Sequence, residues 1–255
     1  MGDYVQLREV RAWYEDVGEG EPLVLLHGGH TDARFFEHNI GALAEHFHVY
    51  TPERRGHGHT PDTSGPFSYD LMADETIAFL ETVVGGRAHL FGHSDGAFVA
   101  TLVAMRRPEL AGDLVLVSGG FNKNGLIGAD EEYDIDELVA FMGPAYAEVS
   151  PDGEEHFRVV AQKTVDMAAD EPALEQAELQ AISSRTLVMF GDDDLVTLEH
   201  AVAMYEGIPN AEFAIVPGTS HFLLQEKPVL CDAIVLDFLT REPVPTIAPI
   251  RRAAA

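Results

Sequence analysis

The sequence is poor in cysteine and in positive charge. It holds one cysteine, Cys231, and 16 Lys and Arg against 43 Asp and Glu, a formal net charge of -27 over 255 residues. A single cysteine excludes a disulfide framework within the chain. Its place in the apolar run CDAIVLDFL reads as a small core residue rather than a nucleophile. The shortage of cationic side chains argues against nucleic acid and against an anionic membrane surface as partners, because both would be repelled. The carboxylate excess reads as a solvated surface that keeps the protein soluble. No run is long and apolar enough to span a bilayer. The first residues, MGDYVQLREV, lack the basic start and apolar run of a signal peptide, so a cytoplasmic protein is expected. The 12 histidines are scattered without metal-ligand spacing, and neither a metal nor an organic cofactor is expected.

What the chain does have is alternation. Strand-like and helix-like segments follow one another, the mark of a mostly parallel sheet covered by helices. VQLREV and RAWYEDV suit an opening antiparallel pair, and PLVLLHGG a buried strand ending in glycines. FFEHNIGALAEHF has helical spacing. YDLMADETIAFLETVV reads as an amphipathic helix with Leu71, Ile77, Leu80 and Val84 on its inner side. Residues 122–184 contain no strand-like run and carry three helix-like stretches, DIDELVAFMGPAYAEV, EEHFRVVAQKTVDMAA and ALEQAELQAI. They are expected to form a helical lid inserted between two parts of the core, 1–121 and 185–240. Residues 241–255, rich in proline and alanine, are expected to be a flexible tail.

Chemistry concentrates in a few places. GHSDG, residues 92–96, fits G-x-S-x-G between a strand and a helix, where flanking glycines make room for a sharp turn that exposes Ser94. A serine hydroxyl needs a base, and the base needs a carboxylate. His221, in GTSH after the last predicted strand, and GDDD at the end of the strand before it, stand in the order serine, acid, histidine. The aspartate run offers Asp192, Asp193 and Asp194; Asp194 is the choice and Asp192 the main alternative. A negative intermediate needs fixed donors. HGG at 27–29 suggests the Gly29 N–H as one and the N–H of Asp95, beginning the helix, as the other. His30 is a further candidate for contact with substrate. Phe141, Met142, Tyr146 and Phe157 in the insertion are candidates for lining a pocket around an apolar part of the substrate.

Together HGG, ERRGHGHT, GHSDG, GDDD and GTSH resemble the α/β-hydrolase fold family, over nearly all of the chain from about Tyr4 to Leu239. The resemblance implies a mostly parallel eight-stranded sheet with helices on both faces. The family's acid usually stands three residues after the strand-ending glycine, here Gly191, which supports Asp194. ERRGHGHT is similar to the family's D-x-R-G-x-G-x-S segment, with Glu53 for the acid and Thr60 for the serine. That segment is usually structural, so His57 and His59 are not expected to be catalytic. The S-D-G form of the turn resembles the valacyclovir-hydrolase-like branch, which implies that Asp95 could hold a substrate amino group; the plain alternative is an acid favoured by the helix dipole. The expectation is a serine esterase or amidase acting on a small molecule, with a homodimer the one protein partner allowed. A carbon–carbon bond hydrolase, a cofactor-free lyase or oxygenase, and a non-catalytic ligand receptor are the alternatives.

Overall fold

The structure is a computed structural model that describes residues 2–128, 134–242 and 246–249. The strands are β1 (Asp3–Leu7), β2 (Val10–Val17), β3 (Glu21–Leu26), β4 (Phe47–Pro52), β5 (Ala88–His93), β6 (Ala111–Val117), β7 (Thr186–Asp193) and β8 (Ala211–Ser220). They form one sheet in the order β1-β2-β4-β3-β5-β6-β7-β8. β1 and β2 pair antiparallel, as do β2 and β4; every later pairing is parallel. The helices are α1 (Ile40–Ala44), α2 (Tyr69–Phe79), α3 (Asp95–Arg106), α4 (Ile135–Ala147), α5 (Phe157–Asp170), α6 (Leu198–Gly207), α7 (Leu223–Glu226) and α8 (Pro228–Thr240).

The middle strands are apolar at nearly every position because both faces of the sheet are covered. In β3, Leu23 and Leu25 belong to the core under α1 and α8, while Val24 and Leu26 belong to the core shared with α2, α3 and α6. This period of two puts successive side chains on opposite faces. Each large side chain so buried contributes about 1.5–3 kcal/mol. Cys231 lies fully buried in the first of these cores.

Three predicted segments differ in detail. FFEHNIGALAEHF is a short 3-10 turn, Ala33–Phe36, followed by α1, rather than one helix. Asn39 stands at the break, fully buried, and its side-chain amide donates to Asp232 of α8 at 2.8 Å. α2 turns a different side inward from the one expected. Tyr69, Met72, Ala73, Thr76 and Phe79 are buried along with Leu80, whereas Leu71, Ile77 and Val84 are only partly so. Glu75 also faces inward, where it accepts from the buried Arg55, and Leu80–Val84 continue beyond α2 as a π-helix, whose wider turn changes the face they present. The stretch ALEQAELQAI forms a 3-10 helix, Gln176–Ala181. Within 122–184 the helices α4 and α5 sit between β6 and β7 in the chain, and residues 129–133 lie outside the described residues. Of the predicted tail, 243–245 and 250–255 lie outside them as well.

The ERRGHGHT segment is packed under the sheet's rim. Thr60 donates to the Glu53 carbonyl at 3.0 Å and accepts from the Trp13 N–H at 2.8 Å. The Glu53 side chain is wholly buried and accepts from the His59 N–H. Burial pushes its carboxyl up to about 8, against the pull of that amide and with the help of the Asp32 charge. An unfolded chain loses this proton at about pH 4.3 and the folded one near 8. Between those values the unfolded state binds fewer protons, so stability falls as pH rises, by about 1.4 kcal/mol per pH unit. Glu53→Gln is expected to flatten the decline in unfolding free energy between pH 5 and 8 in urea titrations. Parallel declines in parent and variant would contradict it.

Candidate active site

Ser94 stands between the end of β5 and the first turn of α3 with φ 54 and ψ -121. A non-glycine residue in that region is strained, and the surroundings must hold it there. They do so by close approach. A Cβ on Gly92 would lie 2.2 Å from the Gly96 carbonyl oxygen, and one on Gly96 would lie 2.0 Å from that of Leu26. Only glycine fits at both places. The Ser94 N–H donates to Val117 at 2.9 Å, which fixes the turn to β6.

The serine hydroxyl lies 3.0 Å from Nε2 of His221, and His221 Nδ1 lies 2.8 Å from Oδ1 of Asp194. These three residues come from the ends of β5, β8 and β7, which are 127 and 27 positions apart in the chain along the two contacts. The Asp194 side chain is fully buried. Burial pushes its carboxyl up, but the hydrogen bond and charge of His221, and the bonds from Ser118 and the Val196 N–H, outweigh that and hold it below the usual carboxylate range. Asp192 is elsewhere: its Oδ1 accepts from the Thr219 N–H at 3.1 Å and braces the backbone before His221. Asp193 is exposed, and the cap of α6 is Thr197 rather than either aspartate.

Further contacts hold this arrangement. His93 donates through Nε2 to the His221 carbonyl at 2.8 Å, and burial pulls its own ring down to about 3, so it stays neutral. Glu226 accepts from both the N–H and the hydroxyl of Ser220. The buried Arg54 donates to the Gly28 carbonyl at 2.7 Å, and its N–H donates to His27 Nε2. ERRGHGHT therefore braces HGG. His57 and His59 take no part at Ser94: His57 is buried against Arg55, and His59 contacts Glu53 and stacks on Trp13.

A cavity of about 290 Å³ opens over Ser94, bounded by Gly28, Gly29, His30, Asp95 and His221 below and by Phe141 and Met142 of α4 above. A Cβ on Gly28 would stand 3.2 Å from that of Ser94, so the HGG backbone lies against the serine turn. Tyr146 and Phe157, predicted as lining residues, do not border this cavity. They pack on each other, and Phe157 packs on His30, at the edge of a neighbouring space of about 460 Å³. Burial lowers the pKa of the His30 ring, against the Asp95 charge. Asp95 accepts from the Tyr69 hydroxyl at 2.7 Å. Two residues that the motifs did not suggest, Tyr69 and Glu171, also border the cavity, and Asp95 and Glu171 are the carboxylates among its lining residues, which include no lysine or arginine. Neither lies in a motif: Tyr69 opens a helix and Glu171 precedes a proline, so only the folded chain brings them to Ser94. Among the described residues no cluster of His, Cys, Asp or Glu could hold a metal ion, and no helix is long and apolar enough to cross a membrane.

Known proteins share this framework. A family model described as the alpha/beta hydrolase family matches residues 23–233. The chain is 31% identical over 112 residues to an (E)-2-((N-methylformamido)methylene)succinate hydrolase of Acinetobacter baylyi, a match covering 44% of this chain and 43% of that protein. It is 28% identical over 91% of each chain to a 2-hydroxy-6-oxononadienedioate/2-hydroxy-6-oxononatrienedioate hydrolase of Paraburkholderia phymatum. In fold it is similar to the enol-lactonase of Burkholderia xenovorans, with a TM-score of 0.76 at 22% identity over 94% of this chain and all of that one. With most of its length matched, from the first buried strand of the sheet to the last helix, the chain belongs to the alpha/beta hydrolase family.

Proposed function

We propose that the protein is a serine hydrolase that cleaves a small-molecule ester or amide through an acyl-enzyme on Ser94. The observation that carries this reading is the unbroken relay from the Ser94 hydroxyl through His221 to Asp194. His221 Nε2 takes the serine proton as Oγ attacks the carbonyl carbon. Asp194 orients the ring and stabilises the imidazolium that forms. The N–H groups of Gly29 and Asp95 are the proposed donors to the oxyanion. Collapse of the tetrahedral intermediate returns the proton to the leaving alcohol or amine. Water, deprotonated by the same histidine, then releases the acid. The segment 122–184 acts as the lid, with Phe141 and Met142 on the substrate.

The charge of the cavity narrows the substrate. Asp95 and Glu171 border it without a cationic side chain among its lining residues. An ammonium group has partners there, and an anion meets repulsion in a site of reduced dielectric. Asp95, held by Tyr69, is the proposed anchor for a substrate amine. A second reading, cleavage of a carbon–carbon bond by the same relay, is favoured by the similarity to the Paraburkholderia phymatum hydrolase. The dioate in that protein's name has two carboxylates, which suits this cavity poorly.

Turnover of chromogenic acetate or butyrate esters is expected in the parent and is expected to vanish in Ser94→Ala with the fold intact by circular dichroism. Ester turnover undiminished in that variant would contradict the reading, and release of acid from a diketone with little ester cleavage would favour the second. Asp194→Asn is expected to lower kcat by about 10⁴-fold and Asp192→Asn by far less. The reverse order would assign the acid to Asp192. An α-amino ester is expected to be cleaved with a higher kcat/KM than its des-amino analogue, and Asp95→Ala to erase that preference; equal losses on both esters would remove the anchor.

A further inference from the structure

The end of β6 holds a side chain that the mechanism above does not use. Ser118 follows the last residue of the strand and is 1% exposed. Its N–H donates to the Met189 carbonyl at 2.9 Å, which ties it to the neighbouring β7. Its φ is 50, in the left-handed region where glycine is at ease and other residues are strained. Glycines follow at 119 and 120, yet this position is serine. The hydroxyl donates to Oδ2 of Asp194 at 2.5 Å. The remaining contacts of that carboxylate are the Gly191 N–H at 3.3 Å, the Val196 N–H at 3.2 Å and His221. Apart from His221, Ser118 is thus the one side chain among the described residues that bonds to the acid.

We infer that Ser118 is a positioning residue for the acid: its hydroxyl pins Oδ2 so that Oδ1 faces His221, and it draws off part of the carboxylate's charge. The assignment rests on the serine-hydrolase reading. A carboxylate that already accepts a bond from a hydroxyl is a weaker acceptor for its other donor and stabilises an adjacent imidazolium less. Removing the hydroxyl has two consequences. Asp194 keeps its contact to His221 through Oδ1 but is held in line less firmly, which slows the reaction. The charge it presents to His221 rises, which favours the protonated ring and makes the base available only at higher pH. The other titratable groups around this pair are His93, Asp95, Asp192, Asp193 and Glu226, with His30, Tyr69 and Glu171 on the cavity that His221 borders and the buried Arg54 acting on His93. None is altered in Ser118 variants, so a change between variants reports Ser118.

The experiment measures the rate at which a fluorophosphonate phosphonylates the full-length protein from pH 5 to 9, which needs no knowledge of the natural substrate. The parent is compared with Ser118→Ala, Ser118→Gly and Ser118→Cys. Glycine removes the hydroxyl while relieving the backbone, so it covers the case in which alanine fails to fold. Alanine and glycine are expected to slow labelling about tenfold and to move the acid limb of the profile up by on the order of half a pH unit. Cysteine, a weak donor, is expected to fall between them and the parent. An acid limb that stays in place in both the alanine and glycine proteins overturns the inference, even if labelling slows. Labelling that persists in Ser94→Ala overturns the serine reading, and this assignment with it; labelling lost in Ser94→Ala with an unmoved limb in the Ser118 variants overturns this assignment alone.

Discussion

A hydroxyl, an imidazole and a carboxylate from distant parts of the chain meet at one rim of the sheet. The contacts are ordinary in length, 3.0 Å from Ser94 to His221 and 2.8 Å from His221 to Asp194. What is uncommon is the route by which distant parts of the chain reach them. Parallel strands with helical crossovers end at the same edge. β5, β7 and β8 therefore deliver their C-terminal residues to one rim, with β6 between β5 and β7, and β3 delivers HGG beside β5. The strained backbone of Ser94 is tolerated because glycines at 92 and 96 let the turn close against β3. A tight turn at a rigid edge leaves the hydroxyl little freedom, which is the condition for a base to hold its proton in line.

The supporting contacts form a second layer of buried polar side chains, in which His93 Nδ1 and Arg54 Nε are left without a hydrogen-bond partner among the described residues. Arg54 holds the HGG carbonyl, His93 holds the His221 carbonyl, and Ser118 holds the acid. Each removes a polar group from water and gives it a partner, since leaving one without would cost about 1–3 kcal/mol. Pairs on the surface contribute far less. Arg34 donates to Glu148, which is two-thirds exposed, and bonds of that kind are worth about 0–1 kcal/mol. Order at the rim comes from the buried set. The negative surface, with a formal charge of -27, leaves the architecture alone and sets the field in which substrates approach.

Much of this was legible in the chain before folding. Period-two alternation and glycine-ended apolar runs disclose the sheet, and G-x-S-x-G discloses the turn, because each follows from local sterics. Partners joined across the fold were harder to read. Spacing placed Leu71 and Ile77 on the inner side of α2, but Glu75, bonded to Arg55, is among the residues buried there instead. FFEHNIGALAEHF promised one helix, and Asn39, bonded to a residue 193 positions away, breaks it. Among the candidate site residues, Phe141 and Met142 border the cavity over Ser94, while Tyr146 and Phe157 border the neighbouring space, which Phe141 and Met142 also line. Three lie on α4 and Phe157 opens α5, and only the seating of α4 on α5 decides which space each one lines. Ser118, Tyr69 and Glu171 had no local signal at all, since a serine before glycines or a tyrosine opening a helix is common in any sequence.

The central claim is that the Ser94 oxygen becomes covalently bonded to substrate. It is tested most directly by quenching a reaction with an activated ester in acid within the first turnovers and mapping the peptides by mass spectrometry. The account predicts one acyl group, on the peptide that holds Ser94. Steady turnover with no acyl group at Ser94, or with the acyl group on a different side chain, would contradict it.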